Sequence, residues 1–123
     1  MLVGLLWATL TVALAAPPKA SCVLPVADGD AESPSRPNVE GVITEARGSL
    51  VEAESKGKVR HPLLLDERTR LFTVYGGFVG ADELVPGQVV RIWFANCKAP
   101  KAAERGRVAV LMLASRKPGE GWP

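Results

Sequence analysis

The sequence predicts a mainly β protein, a small antiparallel barrel of five to six strands with one short helical turn. Three observations predict it. From Glu40 onward apolar residues recur at a period of two in short runs, as they do on a half-buried strand. Clusters of turn residues (Arg47-Gly48, Ser55-Lys56-Gly57-Lys58, Gly76-Gly77, Pro86-Gly87) divide the runs. No stretch sustains the pattern of a long helix. Closing the sheet removes exposed edges in so short a chain, which favours a barrel; a small sandwich is the alternative.

Taken in order, Gly41 to Ala46 forms the first run and Ser49 to Glu54 the second, joined by Arg47-Gly48. Val59 to Asp66 is the third, with Val59, His61, Leu63 and Leu65 on one face; Pro62 within it signals an edge position or a bulge. Leu71 to Tyr75 is the fourth. Ala81 to Leu84 has the look of a single helical turn, stopped by Pro86-Gly87. Gln88 to Ala95 is the fifth strand, with Val90, Ile92 and Phe94 alternating inward and Val89, Arg91 and Trp93 outward. Arg107 to Ala114 is the sixth. The stretch before it holds at most one helical turn, because Gly106 interrupts it.

A chain of 123 residues accommodates one such domain. Residues 1–15 read as a secretion signal: Met1 to Ala16 is an uncharged apolar run ending in small residues, with the A-x-A pattern Ala13-Leu14-Ala15 placing cleavage before Ala16. Residues 16–39 form a Pro-rich arm, since Pro17, Pro18, Pro25, Pro34 and Pro37 deny it regular hydrogen bonding. Within it Cys22-Val23-Leu24 and Val26 are the residues able to pack. Residues 40–115 are the β domain and 116–123 a polar tail. The expected address is therefore exported, periplasmic or extracellular. In such a compartment Cys22 and Cys97 are expected to pair, closing a loop worth about 4 kcal/mol in the chain-entropy model. Two other states stay open: lipidation of Cys22, which would anchor the protein to a membrane, and free thiols.

The residues Gly41-Val42-Ile43, Leu50-Val51, Leu64-Leu65-Asp66-Glu67-Arg68-Thr69, Ala81 to Trp93 and Arg107 to Leu111 run in an order that resembles the secreted bacterial domains of unknown function called YobA-like. The shared pattern is G-x-I, a short strand, D-x-x-T, D-L-x-x-G-Q-x-V-x-V-W and a last strand carrying alanine, over about residues 40 to 114. The resemblance implies an OB-like small barrel and an envelope location, and it brings no activity with it.

The chemistry-bearing residues are sparse. His61 is the only histidine, which leaves nucleophilic catalysis a single candidate base. Two cysteines and one histidine at scattered spacing do not make a zinc site, and the acidic pairs lack Ca²⁺-loop spacing, so no metal is expected. No Gly-rich phosphate loop is present and no cofactor is expected. A net charge of +2 is too small to predict a nucleic-acid partner, although the OB-like surface keeps that as a third reading. Arg91 and Trp93, two apart on one strand, share a face and are placed to stack, as an OB-type site stacks sugars or bases. Tyr75 and a basic rim of Lys56, Lys58 and Arg60 complete the candidate ligand surface. The favoured function is thus a non-enzymatic envelope module that binds a ligand or partner or serves a structural task. A hydrolase-type enzyme using Asp66, Glu67 and His61 is the alternative from another class.

Overall fold

The computed structural model describes Gly4 and residues 21–27, 33–101 and 104–123. Apart from Gly4, the expected secretion signal lies outside the described residues, as does the beginning of the arm. Six strands follow one another: β1 (Val39–Arg47), β2 (Leu50–Ser55), β3 (Val59–Leu64), β4 (Arg70–Thr73), β5 (Val89–Phe94) and β6 (Gly106–Leu113). Between β4 and β5 the expected helical turn is present as a 3-10 turn, Ala81–Glu83, and a second such turn spans Ala95–Cys97. No helix among the described residues is long and apolar enough to cross a membrane.

The sheet order is β3-β2-β1-β5-β6-β4, and an additional β3–β6 pairing closes it into an OB-like five-stranded ring with β4 as an extra strand. Strands that alternate in direction around a ring of odd number must meet once in parallel. That seam is β3–β6, where Leu63 faces Gly106 and Leu64 faces Arg107. β4 then pairs with the same edge of β6, also in parallel, from Arg70↔Val110 to Thr73↔Leu113. β3 and β4 are in effect one strand interrupted by the Leu65–Thr69 loop. Pro62, opposite Glu52 of β2, lies on the stretch of β3 that β6 does not reach, which suits a residue without a donor.

The interior is filled by Val39, Ile43, Val51, Ala53, Leu63, Leu65, Val90, Ile92, Phe94, Val108, Leu111 and Leu113, with Val79 and Leu84 packed against them. Val59, expected on this face, is instead 51% exposed. Two bulges rephase the alternation. Thr44 is surplus between Ile43↔Ala53 and Glu45↔Glu52, and Ala109 is surplus between Phe94↔Val108 and Trp93↔Val110. After the second bulge Val110 points outward while Leu111 points inward, so both are buried, in different layers.

That outer layer consists of Phe72, Trp93 and Val110, with Met112 and the disulfide-bonded Cys97 beside them, and the arm covers it through Leu24 and Ala27. Cys22 and Cys97 form a disulfide across 5.5 Å between Cα atoms. The bond occupies the Cys22 sulfur that lipidation requires. The tail also packs: Gly119 donates its N–H to Gly87 O (2.7 Å), and Trp122 stacks on Arg91.

Two glycines are required by position. Gly87 has φ near +95°, the left-handed residue of the turn that Pro86 opens. Gly106 sits under the Phe94 ring, which fills the space where a Cβ would project. Gly106→Val is therefore expected to force the ring or the seam apart and to cost about 1–3 kcal/mol. Denaturant unfolding should show a lowered midpoint with an unchanged slope.

Candidate functional site

The residues expected to form one ligand surface fall in three separate places. Lys56 and Lys58 lie exposed at the tip of the β2–β3 hairpin, with Lys58 in the left-handed region (φ 60°). Arg60 faces Glu52 across the same hairpin at 3.5 Å. This rim lies on the β2–β3 hairpin, which β1 separates from β5 on one side of the ring and β6 on the other.

Trp93 faces out of the barrel, as its alternation predicts, yet only 2% of it reaches solvent. Its indole N–H donates to Ser35 O at 2.8 Å, and the arm lies over the ring. Arg91 does not stack on Trp93. Its guanidinium lies 4.0 Å from the centroid of Trp122, while its Nε is 3.2 Å from Glu40 Oε1 without pointing a hydrogen at it.

Tyr75 occupies a third place. The chain reverses after β4 in a tight loop braced by Thr73 N–H to Gly77 O (2.8 Å), Gly76 N–H to Thr73 O (2.8 Å), Val79 N–H to Leu71 O (3.1 Å) and a bridge between Phe72 and Phe78. Arg116 Nη2 donates to Phe78 O at 2.7 Å, and the same guanidinium pairs with Glu83 at 2.8 Å. On this rigid loop Tyr75 is 76% and Phe78 71% exposed. A shallow cavity of about 290 Å³ beside them is lined by Val26, Ala27, Arg70, Gly76 and Phe78. The sequence singles out Tyr75 and not Phe78. The available signal was an aromatic residue set among Gly76, Gly77 and Gly80, in a loop too glycine-rich to need one for packing.

Asp66 and His61 of the hydrolase reading are engaged in separate places. Asp66 and Thr69 build the interruption between β3 and β4. Asp66 Oδ1 accepts from Arg68 N–H (2.9 Å), Thr69 N–H donates to Asp66 O (3.0 Å), and Thr69 Oγ1 donates to Val108 O (2.7 Å). That last bond satisfies a β6 carbonyl in the gap between its two parallel partners. Arg107 Nε closes the loop on Asp66 Oδ2 at 2.6 Å. The Arg68 N–H and, after it, the Arg107 guanidinium hold the Asp66 carboxyl below its ordinary value. His61 lies five residues back along the strand direction, about 16 Å away. Its Nε2 is 2.8 Å from Ser55 Oγ across the hairpin, a contact that joins neighbouring strands. No orienting partner of the imidazole accompanies it among the described hydrogen bonds. His61 also lines a cavity of about 400 Å³ with Asn38, Phe94, Pro100 and Glu104. No cluster of three metal-ligating side chains occurs among the described residues.

Gln88 belongs to the architecture of this end of the barrel. It is 1% exposed, accepts Val85 N–H at 2.9 Å, and donates to Glu83 O (3.2 Å) and Arg116 O (3.0 Å). One buried amide thus ties the 3-10 turn and the tail to β5, and through Arg116 it supports the aromatic loop.

No protein-family model, curated protein or solved structure matches the chain. Architecture and geometry define it as a disulfide-bonded OB-like barrel bearing an exposed aromatic loop.

Two outcomes are expected. Gln88→Ala leaves buried groups unpaired and should cost about 1–3 kcal/mol in denaturant unfolding. For Asp66, the lowered pKa means that its contribution to stability is present above the unfolded value of 3.8 and is lost as pH falls through the folded one. Unfolding of Asp66→Asn against wild type should therefore show a deficit at neutral pH that closes in acid. A deficit independent of pH would assign the loss to geometry alone.

Proposed function

We propose that the protein is a non-enzymatic exported module that binds a partner through the Tyr75–Phe78 loop. The observation that carries this reading is the exposure of two aromatic side chains on a loop whose backbone is fixed from several sides. Large rings left in water on a rigid support are disfavoured unless another surface covers them, and aromatic anchors dominate the energy of such contacts. Val26 of the arm and Arg70 at the edge of the adjoining cavity extend the surface with an apolar and a cationic group. Export is supported by the uncharged apolar run ending in Ala13-Leu14-Ala15 and by a disulfide, a bond that persists in oxidising compartments. The OB-like strand order is consistent with the resemblance to YobA-like secreted domains.

A photoreactive amino acid placed at Tyr75 or Phe78 in the cells that make the protein tests this directly. Discrete crosslinked adducts are expected from these positions and none from Lys58 on the opposite hairpin. Adducts of equal yield from Lys58, or none from the loop, would remove the assignment. With the photoreactive residue moved to Val26, Tyr75→Ala with Phe78→Ala should abolish the adduct while changing folding stability by no more than about 0.5 kcal/mol per site, since both are exposed, so that its loss reports on the surface and not on the fold.

A further inference from the structure

The arm treats the outer face of β4, β6 and β5 as a ligand would. Two stretches without helix or strand, residues 21–27 and 33–37, are joined by Ser35 N–H to Val23 O (2.8 Å) and Val23 N–H to Ser35 Oγ (2.9 Å). Leu24 and Ala27 lie on the apolar layer of Trp93, Phe72 and Val110, and the Trp93 indole donates to the Ser35 carbonyl. An aromatic slot whose indole N–H reads a backbone carbonyl of a proline-containing segment is a recurring way of holding extended peptides.

The barrel does not depend on this occupant for its interior. Of the described arm residues only Val39, the first residue of β1, belongs to the inner core, and the ring of strand pairings closes without the residues before it. What fixes the arm covalently is Cys22–Cys97, and the anchor at Cys97 is conformationally unusual. Asn96 and Cys97 are consecutive non-glycine residues with positive φ, 58° and 53°. Such a conformation persists only where surrounding contacts impose it. Here they are the disulfide, the turn closed by Lys98 N–H on Ala95 O, and Asn38, whose Nδ2 donates to Cys97 O at 3.0 Å.

We propose that the Trp93 face is a covered peptide-docking surface, that the arm is its resident occupant, and that Cys22–Cys97 is the latch. A dithiol reductant opens it: two electrons and two protons pass from the dithiol, the Cys22–Cys97 bond breaks to give two thiols, and the reductant leaves as its own disulfide. The anchor turn then relaxes, and the face accepts an extended, proline-containing apolar segment from a partner. This surface is distinct from the Tyr75–Phe78 loop and does not rely on it.

The test uses the full chain with Trp7→Phe and Trp122→Phe, which leaves Trp93 as the sole indole of the three. Reduction with a dithiol should raise acrylamide quenching of Trp93 severalfold and shift its emission to the red, with the far-ultraviolet circular dichroism of the barrel retained. In the same background, Cys22→Ser with Leu24→Asp prevents the arm from reseating. A synthetic peptide of residues 21–37 carrying serine for Cys22 should then restore protection of Trp93 in a saturable way, and the same peptide with Leu24→Asp should not. Trp93 still shielded after complete reduction overturns the latch. So does loss of the barrel signal on reduction, which would make the bond a structural staple. Failure of the peptide to protect an exposed Trp93 overturns the docking surface.

Discussion

The parallel seam between β3 and β6 consists of two residue pairs, and much of the molecule is arranged to keep it closed. An odd number of strands requires one such seam. Its position is fixed by Gly106, which has no side chain and so admits the Phe94 ring from the neighbouring strand. Beyond the seam the edge of β6 would be open, and the Asp66–Thr69 loop fills the gap. Thr69 takes the free Val108 carbonyl, Arg107 holds Asp66, and β4 resumes the pairing. Asp66, an acidic residue of the hydrolase reading, is in this way consumed by a junction between two strands.

The Ala109 bulge has the wider consequence. By shifting the phase of β6 it puts Val110 outside and Leu111 inside, so that Val110 joins Phe72 and Trp93 in a second apolar surface. Trp93, Phe72 and Val110 make that surface, and the arm is the cover that the chain itself supplies. The disulfide, the Trp93–Ser35 hydrogen bond and the Asn38 contacts all hold that cover in place.

Much of the fold was legible in the residues. Strand alternation within β1, β2 and β5 is local, and so are Pro86-Gly87 and the Lys56-Gly57 turn, so each element falls within a residue or two of its expectation. The two cysteines also pair as expected. What escaped was set by distant partners. The outward direction of Trp93 follows from its neighbours, but its burial is decided by Leu24 and Ser35, far away in sequence. The same holds for Arg91, whose stacking partner is Trp122 of a tail that composition marks as polar. Gln88 reads as an ordinary strand residue until the tail brings Arg116 O to it. Of the candidate surface, Tyr75 was visible and Phe78 was not, because exposure of a loop aromatic depends on which backbone bonds have fixed the loop.

Arg91 carries one more consequence. Its side chain touches Glu40, where β1 begins, and Trp122, near the last residue described. The start of the first strand and the end of the tail therefore lie on either side of one guanidinium. A domain whose two ends meet in this way is portable: it can be grafted into a surface loop of a host protein, or have its ends joined and new ones cut at Lys56-Gly57, while its interior remains as it is.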